Sequence, residues 1–318
     1  VIQLGIDEAG LGPILGPLVT AGVALETPGR GRDPFALLER VVARKGKKPR
    51  ETRILVDDSK RVFSGKKGLA HLERTALAFM ALAWGSPPAT GEELAGRLLS
   101  GGSPKERSSC PWLSPLDFSL PLAASPDKVE LDSWLLAKAA REAGLRLHAL
   151  YLAALHPKEF NASIDRTGNK SLTHFETFVR VLKAGLEHHP SRVVLDRAGG
   201  RIHYALPLAR AFPGAGVVSR EETPARQRYL LRLPQGSQVE IWFQEKGESH
   251  FFSIALASCL AKYVREVFME AMNRWFQERV PGLRPTRGYF VDGRRFLREV
   301  REVALKEKVE EEAFLRKR

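Results

Sequence analysis

The chain has 318 residues and a formal charge of +13, with 50 Lys and Arg against 37 Asp and Glu. That length can bury a large core, and the cationic excess favours a polyanionic partner, of which nucleic acid is the commonest. No apolar segment long enough to span a bilayer and no lysine-rich amphipathic helix is present, which argues against a membrane partner. Cys110 and Cys259 lack metal-ligand spacing, so neither a disulfide framework nor a zinc site is expected. No leader precedes the first apolar run, and the expected location is the cytoplasm.

Val1 to Ile6 reads as a strand driving into Asp7-Glu8-Ala9-Gly10. Adjacent carboxylates on a strand point to opposite faces, so sharing a site requires the strand to end or bulge there. Leu18 to Leu25 reads as a second strand, making the start a hairpin. The stretch from Arg40 to Lys67 is densely basic and reads as a nucleic-acid face. Leu69 to Trp84 has helical spacing. From about 85 to 127 the chain is rich in Gly, Ser and Pro and reads as an irregular insertion. Helical spacing returns from Leu131 to Leu155. Thr173 and Glu176 form a capping-box pattern before an apolar face of Phe175, Phe178, Val179, Leu182 and Leu186. Arg192 to Asp196 reads as a buried strand ending in an acid. Arg226 to Arg232 is basic and strand-like, and Gln238 to Phe243 alternates as a further strand. A long helix follows, with Ile254, Ala257, Ala261, Val264, Phe268 and Trp275 on one stripe. The region from about 276 to 318 is charged and helical, and from Arg298 to Arg318 it reads as a solvated face or tail. The expectation is one α/β domain over residues 1–318, with a mixed sheet.

Asp7-Glu8, Asp196 (with Gly199-Gly200 downstream) and Glu248 (after Gly247) share one pattern: an acid following an apolar strand, beside small residues. Acids at such strand ends can converge on one edge of an α/β sheet. Four carboxylates call for about two divalent cations, and paired hard cations are the usual arrangement for in-line attack on a phosphodiester. In a strongly basic protein, phosphodiester hydrolysis is the natural inference.

These residues carry a resemblance. Gly5-Ile6-Asp7-Glu8-Ala9-Gly10-Leu11-Gly12-Pro13 resembles the first motif of the type 2 ribonucleases H, the HII and HIII enzymes. Asp58-Ser59-Lys60 is similar to their Asp-Ser-Lys motif, Phe160-Asn161 through Gly168-Asn169 to the segment before the central helix, and Val194-Leu195-Asp196 to the strand bearing the third acid. Lys246-Gly247-Glu248-Ser249 and the helix after it are similar to the fourth-acid motif, and Arg287-Gly288-Tyr289 to the late Gly-Tyr element. The motifs occur in the family's order. The resemblance implies an RNase H-like fold with a mixed five-stranded sheet flanked by helices, a C-terminal helical extension, and Mg²⁺- or Mn²⁺-dependent cleavage of the RNA strand of RNA–DNA hybrids. It makes Asp7, Glu8, Asp196 and Glu248 the ligands of two divalent ions. Gly10, Leu11, Gly12, Ser59, Lys60, Lys246 and Tyr289 become substrate-binding, toward a hybrid or a ribonucleotide-containing duplex. No obligate protein partner is evident.

Glu at the fourth acid looks like the HIII branch. Two departures stand out: Leu11 occupies a position where the family carries a basic residue, and the stretch between Asp196 and Glu248, which holds the basic Arg226–Arg232 segment, is longer than the family leads one to expect. Leu11 motivates a rival reading, a hybrid-binding protein of the same fold with weak or absent catalysis; another RNase H-like nuclease is a third. Asp292, in Val-Asp-Gly, mimics an acid motif out of order and reads as a turn residue. Glu266 reads as solvent-facing or paired with Lys262. The histidines show no ligand spacing.

Overall fold

The computed structural model describes residues 1–29, 31–46, 52–99, 110–197 and 203–317. Its centre is a mixed sheet of β1 (Ile2–Ala9), β2 (Leu18–Glu26), β5 (Arg146–Leu155), β6 (Arg192–Asp196), β7 (Gly216–Glu222), β8 (Arg226–Arg232) and β9 (Gln238–Gln244), in the order β5-β2-β1-β6-β9-β8-β7. The short strands β3 (Val42–Ala43) and β4 (Ile54–Leu55) form a separate pair. β1, β2 and β5 are antiparallel neighbours, whereas β1, β6 and β9 run parallel. The expected five strands are therefore present as β5-β2-β1-β6-β9, but the sheet has seven. The β7–β8 hairpin adds two strands beyond β9, because the basic Arg226–Arg232 segment pairs with it.

The Phe252–Gln277 helix lies across β1 and β2, with the Gly68–Trp84 helix beside it and against β5. Its expected apolar stripe widens into burial on nearly every side from Phe252 to Arg265, since protein packs on both flanks. Each apolar side chain fully buried there contributes about 1.5–3 kcal/mol relative to exposure. The Lys170–Gly185 helix covers the opposite face with Phe175, Phe178, Val181 and Leu182. Asn169, not Thr173, caps it by accepting from the Ser171 and Leu172 N–H groups. Thr173 is buried and Glu176 is held by Arg166 and Ser163.

Other expectations need correction. The stretch Leu131 to Leu155 is not one helix: left-handed Gly144 ends the Pro126–Ala143 helix, and the chain re-enters the sheet as β5. Within the 85–127 insertion, residues 100–109 lie outside the described residues. Elsewhere it is packed, with Cys110, Trp112, Leu113 and Leu116 buried and Trp112 against Trp275, Phe276 and Phe314. The chain beyond the Phe290–Lys306 helix is no solvated tail, because Phe314 and Arg316 are buried. Among the described residues, no helix is long and apolar enough to cross a membrane.

Candidate active site

Asp7 and Glu8 lie within β1, which continues in register to Ala9 without ending or bulging at the acids. Neighbours on a strand start toward opposite faces, yet here, without a bulge, the two side chains stay close enough at the strand's end for the Glu8 and Asp7 carboxyls to hydrogen-bond. Asp7 is buried toward the Phe252–Gln277 helix, where the Ser258 hydroxyl hydrogen-bonds it. Burial, and then the charges of Glu8 and Asp196, raise its carboxyl well above the ordinary value. Glu8 turns toward the other helical layer, where His174 Nε2 lies 3.2 Å from its Oε2. Burial works to raise Glu8, yet His174 beside it holds the group below the usual carboxylate value.

Asp196 ends β6, and its Oδ1 accepts from the Gly247 N–H at 2.8 Å. Burial pushes its carboxyl up to about 7, with Glu8 and Glu248 adding repulsion. Glu248 stands in the first turn of the Gly247–His250 helix. Lys246 is left-handed at φ 51°, and a Cβ on Gly247 would lie 2.6 Å from Ile254 Cδ1 and 3.3 Å from Asp196 Oδ1, so the tight approach needs glycine there. Lys246 is exposed and, among the described residues, forms no ion pair with Glu248. The four acids thus sense one another at the C-terminal end of the parallel strands. Among the described residues, however, no group of three or more His, Cys, Asp or Glu side chains is arranged to hold a metal ion. The donor chemistry still fits hard divalent cations, which carboxylate oxygens suit.

Asp58 caps the Ser59–Val62 helix by accepting from the Lys60 N–H. Buried Ser59 sits 3.1 Å from the Ser258 hydroxyl, linking this motif to Asp7. Lys60 is exposed. Within the basic Arg40–Lys67 block, Arg44 and Arg61 engage buried Asp57, and Lys45 donates to the Val62 and Ser64 carbonyls. Much of that block is therefore structural; Lys66 and Lys67 are exposed and residues 47–51 lie outside the described ones.

The turn of residues 10–16 adjoins the acids. Leu11 is half-buried on Leu18, Leu155 and Phe160. Gly288 accepts from the Ile14 and Leu15 N–H groups, and Tyr289, half-exposed, follows at once. Asp292 accepts from Thr286 and pairs with Arg295, and Glu266 pairs with Lys262 at 2.6 Å. Gly199-Gly200 lies outside the described residues.

Sequence reasoning missed His174, Arg44, Arg265 and Arg316. Arg44 Nη1 and Nη2 donate to the Glu248 and Ser249 carbonyls at 3.0 and 3.2 Å, fixing the fourth acid's backbone. His174 precedes Phe178 by one helical turn and looks from sequence like a core-edge residue, so no local signal marks it. A groove of about 810 Å³ lies at the opposite ends of the strands, lined by Gln3, Ser191, Arg192 and Ser253. Cavity size does not locate the acids.

No protein-family model matches the chain, and no curated protein does. Solved structures match it. RNase HII of Archaeoglobus fulgidus, in a complex with PCNA, is 15% identical, with 100% of this chain and 95% of that one covered and a TM-score of 0.44. Ribonuclease H2 of Pyrococcus horikoshii OT3 is 15% identical, with 98% and 92% covered and a TM-score of 0.44. Bst-RNase HIII in complex with Mn²⁺ is 17% identical, with 99% of this chain but 66% of that one covered and a TM-score of 0.39.

Proposed function

We propose that this chain is a type 2 ribonuclease H, a cytoplasmic, metal-dependent endonuclease that hydrolyses the RNA strand of RNA–DNA hybrids. The observation that carries the reading is the convergence of Asp7, Glu8, Asp196 and Glu248 at one end of the sheet, where two of them are raised by burial and by their neighbours' charge. Buried carboxylates left in mutual repulsion mark a place built for cations.

In this reading Asp7, Glu8, Asp196 and Glu248 hold two Mg²⁺ or Mn²⁺ ions. Bound there, the pair supplies activation of the attacking water and stabilisation of the leaving oxygen. The protein's part is placement. β1 fixes Asp7, the Gly247 N–H fixes Asp196, and Arg44 fixes the backbone of Glu248. Gly10 to Gly12, Lys60, Lys246 and Tyr289 face the duplex, with Ser59 bracing Asp7 through Ser258.

The test is a labelled panel of hybrid, single-ribonucleotide duplex, RNA duplex and DNA duplex, each with Mg²⁺, Mn²⁺ or EDTA. The expected result is cleavage of the hybrid's RNA strand with either metal, none in EDTA, and intact DNA duplex. An uncut hybrid under every metal condition overturns the reading. A second reading, a hybrid-binding protein without catalysis, draws on Leu11 and on Glu8 being turned to His174. It predicts retention of the hybrid with no product in the same panel.

A further inference from the structure

The turn after the acids is held from beneath by two buried arginines. Arg316 Nη2 donates to the Gly10 and Pro13 carbonyls, and Arg265 Nη2 donates to the Leu15 carbonyl at 3.0 Å. The main chain joins in. The Arg316 N–H donates to Ile14 O at 2.8 Å, the Gly16 N–H donates to Phe314 O at 3.1 Å, and Leu15 and Leu315 form an antiparallel bridge. Asn161 locks the same segment, donating to Leu315 O at 2.9 Å and accepting from the Lys317 N–H at 2.7 Å.

The electrostatics are unusual for a structural tie. Arg265 and Arg316 are 1% and 4% exposed, and Nε and Nη1 of each have no hydrogen-bond partner. The acid beside Arg265 is Glu266 at 3.6 Å, which already holds Lys262 at 2.6 Å. Arg316 has no ion pair among the described residues and is close enough to Arg265 to feel its charge. The face of Phe160, 4.9 Å from the Arg316 guanidinium, offsets part of its charge. No carboxylate pairs with Arg316 among the described residues, however, and a buried charge without a counter-ion is costly where a neutral donor would serve for stability alone. The crest of the turn, by contrast, is open: a Cβ built on Gly12 meets nothing within 4 Å, whereas one on Gly10 would strike Arg265. The arrangement places positive charge under an exposed backbone crest whose own side chain, Leu11, is apolar.

We propose that Arg316 is a positioning residue for substrate binding: it shapes the Gly10–Pro13 turn through two carbonyls and charges it from below, so that the crest meets a phosphodiester backbone. The inference rests on the ribonuclease reading and assigns substrate affinity to a segment, residues 314–317, that no motif marked.

The experiment compares wild type, Arg316→Met and Arg316→Lys. Hybrid affinity is read by fluorescence anisotropy in EDTA, and KM and kcat on hybrid with metal. Losing a charge-assisted contact of this class corresponds to about 10-fold or more in affinity. The expected result for Arg316→Met is a Kd and KM about 10-fold higher with kcat within about threefold, and for Arg316→Lys recovery of most of that loss. Wild-type Kd and KM in Arg316→Met, with only a lowered melting temperature, would show a structural latch and overturn the proposal. Should Arg316→Met fail to fold, Arg316→Gln keeps a donor for the carbonyls without charge; raised Kd and KM there support the proposal, and wild-type values overturn it. A wild-type protein that binds no hybrid sinks the ribonuclease reading and this inference together, whereas equal binding by wild type and variant sinks only this one.

Discussion

Glu73 and Asp7 are both buried carboxylates packed around the Phe252–Gln277 helix, and the fold treats them in opposite ways. Glu73 is fully buried, yet it accepts from the Leu122, Ala123 and Ala124 N–H groups and lies 3.4 Å from the Tyr263 hydroxyl. Asp132, also buried, is held by Arg74 at 2.6 Å and Lys128 at 2.9 Å. Burial raises Glu73, but its backbone donors pull the other way. Asp7 has the Ser258 hydroxyl and the Glu8 N–H, and its strongest neighbours after burial are two more acids. Compensation, rather than burial, separates the two regions. A carboxylate wrapped in donors pins a loop, and one facing other carboxylates is, in the ribonuclease reading proposed above, where cations would bind.

The largest expected effect breaks the uncompensated side. Asp7→Asn and Glu248→Gln each lower hybrid cleavage by roughly 10³-fold or more, several kcal/mol of transition-state stabilisation. In EDTA Asp7→Asn is at least as stable as wild type, because a repulsion has been removed. Undiminished cleavage by Asp7→Asn at saturating Mg²⁺ would contradict the comparison.

The pH dependence of metal-free stability comes next. Asp196 is raised in the folded protein to about 7 from an ordinary 3.8, so folding favours its protonated form. Its stabilising contribution is full below the unfolded value and is lost as pH rises through about 7; Asp7 acts in the same sense. Glu8 acts in reverse, its contribution being lost as pH falls through its lowered value. Urea unfolding in EDTA should therefore show about 2–4 kcal/mol less stability from Asp196 near pH 8 than near pH 4. Asp196→Asn should flatten that slope, and parallel slopes in the two proteins would refute the assignment.

On the compensated side, Glu73→Gln turns an amide toward N–H donors and should cost about 2–3 kcal/mol. The folded variant keeps wild-type kcat, and a loss of kcat without a loss of stability would place Glu73 in the wrong class. Asp292→Asn should have the smallest effect, within about 1 kcal/mol of stability and with no change in cleavage, since Asp292 ties Thr286 and the Arg287 N–H to Arg295 at the surface, and an amide oxygen can still accept there.

The parts of the molecule legible in its sequence are those written locally. The opening hairpin, the strands ending at Asp196 and Gln244, and the long helix all declare themselves by periodicity. A shared pattern of acids after apolar strands made Asp7, Glu8, Asp196 and Glu248 candidates, and the family resemblance made them the expected ligands. What stayed hidden was long-range or overridden. β5 is rich in Leu and Ala and reads as helix, but the edge of β2 recruits it. The segment ending in Phe314, Leu315 and Arg316 is masked by its charged neighbours, and its burial follows from docking against Ile14 to Gly16. His174 and Arg44 meet their acids only because helices and the β3–β4 pair happen to be laid beside the sheet, which no local pattern encodes.

The tie between Arg316 and the Gly10–Pro13 turn joins positions 306 and 303 residues apart in sequence. Contacts of such separation form late, because nearly the whole chain must be ordered before they are rewarded. During refolding, the β1–β2 hairpin and the helices can assemble while the turn is still unshaped. Hybrid affinity should therefore recover more slowly than the far-ultraviolet signal of secondary structure. Trp112, which packs on Phe314, offers a fluorescent clock for that last closure.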